Sequence, residues 1–571
     1  MNPPLTPLSL ILILACLSTS SAAEPAVTKP TVTKPAPDLV LRNGRIVDGT
    51  GSPWFYGDVA IRNNRIVAIG RIPEQGKSEK DLRGLVIAPG FIDIHSHSDT
   101  LLLEDGAAQS KLRQGVTTEV LGEGDSIGPS SGKLGPKKFT VRDQTLQWST
   151  LGEYFDTLEQ ETVAVNVASY VGLSTVWRCV MGDSFERPTD DQRQQMRELV
   201  RQAMADGAMG LSSMLAMPPG SLATTDDIVD LCNEVAKAGG IYSSHIRNEG
   251  TEVFEAVKEA IEIGERAHLP VDIIHLKIAD QKYWGRMSEI VALIDAARTR
   301  GVNVQAHVYP YTRGNNDLSS ILPPWVHEGG PAMLRERLKQ PALREQMKRD
   351  IQQGLPGWYN HYTAVGGDWS RMLISKETTF KGLTMDRVLA ERTRNKGARN
   401  QETAPDLLDE FLNYLDEEGG SVSTVYAHHT EEDMTTALVQ PWCSVGSDGL
   451  AFACDGPLRR GNPHPRSFGT FPRILGVYVR ETKLLTLEEA IRKMTSQNAL
   501  KLGLRDRGLV SVGYYADLVV FNESEIIDHA TYTEPFQYPD GIRHVLVNGQ
   551  IALENGQPTT VRSGRAIRGR N

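Results

Sequence analysis

"LVIAPGFIDIHSHSDT", residues 85–100, decides how the rest of the chain is read. Its apolar run to Ile94 has the composition of a strand buried on both faces. His95 and His97 follow at i, i+2 spacing, which on a strand turns both side chains to one face. Two imidazoles there are either a metal-binding pair or polar residues where the chain leaves the core. Which one holds depends on what other strands bring to the same place.

Eight more short apolar runs lie downstream: "GVTTEVLG" (115–122), "VAVNVASYVG" (163–172), "GAMGLSS" (207–213), "GGIYSSHI" (239–246), "VDIIHLKI" (271–278), "GVNVQAHVYPY" (301–311), "VSTVYAH" (422–428) and "WCSVGSDG" (442–449). Helical stretches such as "DDQRQQMRELVRQAMADG" (190–207) and "TEVFEAVKEAIEIGERAH" (251–268) separate several of them. Repeated β–α units predict parallel strands and an α/β fold, a (β/α)8 TIM-like barrel over 86–504. Nine candidates compete for eight places, so one of the last three falls outside the barrel. The polar, weakly periodic stretch from about 315 to 420 is expected to be an inserted subdomain covering the active-site face.

The two ends read differently. "DLVLRNGRIVDGTG" (38–51), "GDVAIRNNRIVAIG" (57–70), "ADLVVF" (516–521) and "HVLVNGQIAL" (544–553) alternate apolar and polar residues around Asn-Gly and Asn-Asn pairs. That is hairpin chemistry, and it predicts one small β-sandwich domain assembled from 38–85 and 505–571. Ahead of it, "LSLILILACLSTSSAA" (8–23) has the apolar core and small-residue end of an export signal spanning 1–23, too short for a stable transmembrane span. The expectation is a periplasmic or secreted protein, with a lipid anchor at Cys16 as the alternative. Residues 24–37, rich in Pro, Thr and Lys, read as a disordered linker. Cys179, Cys232, Cys443 and Cys454 form no CxxC pair and read as buried free thiols. A net charge of −10 without any Lys/Arg run argues against a nucleic-acid partner.

A barrel places its chemistry at the C-terminal ends of its strands. His95, His97, Glu123, His245, His275 and Asp448 all fall there. A lone histidine such as His245 or His275 is often structural, and "SDG" around Asp448 is also a turn sequence. Yet the histidines end strands in consecutive units, which favours one shared metal site. Neutral imidazoles suit a borderline ion such as zinc. Asp448 beside such an ion could act as general base and then acid.

This order of groups, with "APGFIDIHSHSD", "GAMGLSSML", "SSHIRNEG", "IIHLK", "GSDG", "PHPRSFGTFPRILG" and "KMTSQNALKLGL", resembles the D-aminoacylase (N-acyl-D-amino-acid deacylase) family of the metal-dependent amidohydrolase superfamily. The resemblance spans about Asp38 to the final hairpin. It implies a zinc hydrolase, with one tightly bound ion and room for a second, weaker divalent metal. The small-molecule substrate implied is an N-acyl-D-amino acid or a short peptide. By it, His95, His97, His245, His275 and Asp448 are metal and catalytic positions, while Lys277 and Arg466 hold the substrate carboxylate. Two departures stand out. Gly124 in "LGEGDS" takes the place of a family cysteine ligand, leaving Glu123, or else Asp125, to supply the donor. Met217 stands where the family has a tyrosine. Three other readings remain open: a dipeptidase for D-residues, a cyclic amidase of the dihydropyrimidinase or dihydroorotase kind, and a non-catalytic binding protein. "GAMGLSSML" carries no lysine of the sort that bridges two metals in the cyclic amidases.

Overall fold

A computed structural model describes residues 35–395 and 406–569. The expected export signal, Cys16 and most of the expected linker lie outside the described residues. Among the described residues, no helix is long and apolar enough to cross a membrane.

The opening stretch is two strands. Val86–Pro89 joins the terminal sheet and Phe91–Asp93 begins the barrel. The break falls at Gly90, where an added Cβ would meet the Thr117 side chain at 2.2 Å. One apolar run thus serves two sheets, and the sequence boundary at 85 falls one strand early.

Eight parallel strands follow: β1 (Phe91–Asp93), β2 (Val116–Leu121), β3 (Asn166–Ser169 and, after Tyr170, Val171–Gly172), β4 (Gly210–Met214), β5 (Ile241–His245), β6 (Val271–Ile273), β7 (Val304–Val308) and β8 (Cys443–Val445). The ring closes where Ser96 bridges Gly449 and Asp448 N donates to His95 O at 2.8 Å. The helices between strands are built by familiar local rules. Thr189 and Gln192 form a reciprocal capping box on Asp190–Asp206. Val253–Ala267 buries Val257, Ala260, Ile261 and Gly264, the i, i+3, i+4, i+7 pattern of a one-sided helix.

"VSTVYAH" is the candidate that falls outside the barrel. Ser423–Tyr426 pairs antiparallel with Gly314–Asp317 and Met372–Ile374 in a separate three-stranded sheet. Strand periodicity cannot distinguish these fates, because both bury an apolar face. The inserted subdomain therefore runs slightly beyond both expected limits. It carries its own core, including Met347, Phe411, Leu412 and Tyr426.

The chain ends meet in one nine-stranded sheet. Arg65–Gly70, at one end of its path, pairs again through Arg65 and Tyr515 with the segment preceding Leu518–Phe521. The sheet so rolls onto itself around Leu41, Ile61, Ile87, Val520 and Leu546. Asn63 and Asn548 turn hairpins with positive φ, as expected. Asn43–Gly44 does not: Leu39–Ile46 runs on through it with a shift of register, a bulge rather than a turn. The last residues leave the sheet, and Ala566 bridges Val167 on β3.

Candidate metal centre and its cavity

The C-terminal ends of β1, β2, β5, β6 and β8 bring six polar residues together. His95 and His97 lie just beyond β1, Glu123 two residues past β2, and His245 is the last residue of β5. His275 and Asp448 follow β6 and β8 with φ of +35° and +53°, a left-handed backbone that turns each side chain out of the strand direction.

Glu123 is the hinge of the arrangement. Its Oε2 lies 2.9 Å from His95 Nε2 and 3.1 Å from His97 Nε2. Its Oε1 lies 2.8 Å from His245 Nδ1 and 3.4 Å from His275 Nε2. Asp448 Oδ1 is 3.0 Å from His97 Nε2 and 3.6 Å from His95 Nε2, and its Oδ2 is 3.9 Å from His275 Nε2. Two donor groups result, His95–His97–Glu123–Asp448 and Glu123–His245–His275, sharing Glu123. A bridging carboxylate with imidazoles on both sides is the donor chemistry of one or two divalent ions of the zinc type. Every side chain in it except His97 is nearly buried.

Charges within the site are consistent with that. Burial would raise Asp448, but the Arg466 guanidinium and the neighbouring imidazoles hold its carboxyl well below the usual range. Glu123 is likewise held far down by His95, His245 and His275 against the cost of burial. Both are anions at neutral pH. Burial pushes His95 down to about 4. His97 rises to about 10, because its contacts with Asp448 and Glu123 outweigh burial.

The Gly124 departure has a steric basis. A Cβ there would lie 2.4 Å from Met214 Cβ and 2.8 Å from Met214 N, and φ is +60°. No thiolate fits at 124 with β4 where it is. Asp125, the fallback donor, is exposed and paired with Arg178 at 2.7 Å, apart from both donor groups.

The site opens into a cavity of about 520 Å³. The inserted subdomain supplies Asn315, Asn316, Asp317 and Ser423 to its wall, and β4 supplies Met214. Met217 is half-buried and not among the lining residues. Arg466 lines the cavity, with Nη1 2.8 Å from Asp448 Oδ2. The angle of that contact leaves Nη1 without a hydrogen-bond partner. Lys277 is off the cavity wall. Its Nζ donates to Glu249 Oε1 at 2.5 Å and lies 2.8 Å from His275 Nδ1.

Sequence reasoning passed over Glu249. This buried carboxylate lies 3.1 Å from His275 Nδ1 and 3.8 Å from His245 Nε2, on the ring nitrogens that face away from Glu123. Carboxylates in that position orient metal-binding imidazoles and raise their basicity. The signal was present: "HIRNEG" places an acid four residues after His245. Of the thiols, Cys179, Cys232 and Cys443 are buried, Cys454 is half-buried, and all four are free.

Comparison with known proteins agrees with this geometry. A model of the Amidohydrolase family matches residues 79–312 and 424–553, leaving out nearly all of the inserted subdomain. D-aminoacylase of Alcaligenes xylosoxydans xylosoxydans is 33% identical over 93% of this chain and 97% of its own. N-acyl-D-aspartate deacylase of the same organism is 33% identical over 93% and 95%. Among solved structures, N-acyl-D-glutamate deacylase of Bordetella bronchiseptica, complexed with zinc and a phosphonate mimic of the tetrahedral intermediate, superposes with a TM-score of 0.76. It is 29% identical, with 94% of this chain and 100% of that one covered. A D-aminoacylase crystal structure gives the same TM-score at 31% identity, covering 93% and 100%. Similarity of that extent, over a barrel ending in this donor set, means that the chain belongs to the D-aminoacylase family of metal-dependent amidohydrolases.

Proposed function

We propose that this protein hydrolyses the acyl amide bond of N-acyl-D-amino acids with zinc as cofactor. The observation that carries the reading is Glu123, whose two oxygens join two imidazole groups beside an ionised, cavity-facing Asp448. Identity of 33% along almost the whole chain with a D-aminoacylase supports the substrate class. Glu123, His245 and His275 would hold a tightly bound ion, and His95, His97, Glu123 and Asp448 a second. When bound, zinc supplies Lewis acidity, activating water and polarising the amide carbonyl.

The protein's own groups do the rest. Asp448 takes the proton from the attacking water on its carboxylate and returns it to the departing amine nitrogen. Arg466 keeps Asp448 ionised through Nη1, and its guanidinium, on the cavity wall, is suited to the substrate α-carboxylate. Lys277, assigned to that carboxylate by family resemblance, has its contacts with Glu249 and His275; its role in this reading is to steady those two groups.

The test is a screen of N-acetyl-D- and N-acetyl-L-amino acids, D-dipeptides and hydantoins against the zinc-loaded enzyme, scored by amine release. Release from the D-acyl substrates, lost on chelation and restored by zinc, is expected. Hydantoin opening without such release would overturn the reading. We propose in addition that the protein is exported, on the strength of the apolar segment 8–23. Cell fractionation decides this: retention of the full-length chain in the cytoplasm would refute it.

A further inference from the structure

Strand β7 carries a buried histidine that the chemistry above does not use. His307 Nε2 lies 3.2 Å from His95 Nδ1, and His307 Nδ1 lies 2.8 Å from Asp272 Oδ2 on β6. The other oxygen of Asp272 accepts from Lys501 Nζ at 2.5 Å. Lys501 also donates to Ala306 O and Ser444 Oγ, each at 2.8 Å. His307, Asp272 and Lys501 are all buried.

The direction of each hydrogen bond follows from what these groups can do. A carboxylate only accepts, so His307 Nδ1 donates to Asp272. A second proton on His307 would place an extra positive charge where Lys501 already balances Asp272. An unbalanced charge in such a buried position is costly. His307 is therefore neutral, and its Nε2 is a lone pair. The group facing it, His95 Nδ1, must donate. That leaves His95 with a lone pair on Nε2, which faces Glu123 Oε2 at 2.9 Å and Asp448 Oδ1 at 3.6 Å. His97, whose Nε2 lies 3.1 Å from Glu123 Oε2 and 3.0 Å from Asp448 Oδ1, offers those two oxygens a proton, but the His95 lone pair beside them stays open to a cation.

We propose that His307, held by Asp272 and Lys501, locks His95 in its Nδ1–H tautomer and so sets the cation affinity of the His95–His97 position. Without this chain, His95 can carry its proton on Nε2 and donate it to Glu123. An incoming cation would then have to displace that proton. His307 is a positioning residue, acting through His95. The inference rests on the metal reading given above, and its test uses no substrate.

The first measurement is nitrogen-15 NMR of histidine-labelled, metal-free protein, with the His95 signals assigned by their loss in His95→Gln. A proton on Nδ1 is expected; a proton on Nε2 overturns the proposal. The second is zinc titration of His307→Leu, which removes the acceptor but leaves the Asp272–Lys501 pair intact. Zinc affinity at the His95–His97 position should fall about 10- to 100-fold. The equivalent held by Glu123, His245 and His275 should stay, although the melting temperature falls as buried Asp272 loses a donor. His307→Gln, whose amide can accept from His95 and donate to Asp272, should restore most of the loss. Unchanged zinc binding in His307→Leu, or equal losses in both variants, would refute the idea. If His307→Leu does not fold, the NMR result and His307→Gln still decide. An enzyme that releases no amine yet shows the expected tautomer and zinc loss would refute the proposed activity and leave this inference standing.

Discussion

Gly124 and Asp448 both sit in left-handed backbone, for opposite reasons. At Gly124 no side chain fits, because Met214 occupies the space. Gly124→Cys is expected to cost about 1–3 kcal/mol of stability from strain and overpacking, without adding a metal ligand. Thermal unfolding with metal analysis checks this; a stable variant with extra zinc would contradict it. At Asp448 the side chain is the purpose of the turn. Asparagine tolerates the same backbone, so Asp448→Asn should fold and keep the ion held by Glu123, His245 and His275. Its kcat should fall by about 10²–10⁴-fold, the usual worth of a positioned acid–base. Glu123→Ala removes the donor common to both groups, and metal content by elemental analysis should fall at both positions. His95, His97, His245, His275 and Asp448 were legible because each ends an apolar strand. Glu249 is marked only by its place four residues after His245 in "HIRNEG", and His307 by nothing local that separates a buried polar partner from a structural one.

At the scale of elements, the inserted subdomain has an independent core but supplies part of the cavity wall. Phe411 is fully buried in that core and packs 5.4 Å from Trp369 between ring centroids. Phe411→Ala should cost about 3–5 kcal/mol, concentrated in the insertion. The expected outcome is a raised KM with unchanged metal content, because Asn315–Asp317 loosen while the barrel donors do not. Steady-state kinetics alongside zinc analysis tests it; a loss of zinc with KM unchanged would go against it. The run "LVIAPGFIDI" shows where element reading has limits. Its composition announces a buried strand, but the contact of Gly90 with Thr117, which divides it between two sheets, depends on residues far along the chain.

For the whole molecule, the buried pair of Asp272 and Lys501 ties β6 to the helix Ser496–Lys501. Burial would raise Asp272, but Lys501 and His307 hold it far below the ordinary value. A carboxyl depressed in the folded state stabilises the fold above its unfolded value, about 3.9, and loses that contribution as pH falls further. Metal-free protein should therefore show no dependence on this group between pH 7 and 5, then weaken progressively below about pH 4. Urea midpoints across that range measure it, and Asp272→Asn should flatten the acid limb. By itself the sequence determined the alternation of strand and helix, the sheet drawn from both ends, and the donors at the strand ends, because each is written in local periodicity and residue type. Tertiary structure alone decided that Ser423–Tyr426 leaves the barrel, that Glu123 rather than Asp125 joins the histidines, and that Lys277 turns to Glu249. Those outcomes turn on which distant partner fills a space or balances a charge, and no stretch of sequence contains both halves of such a contact.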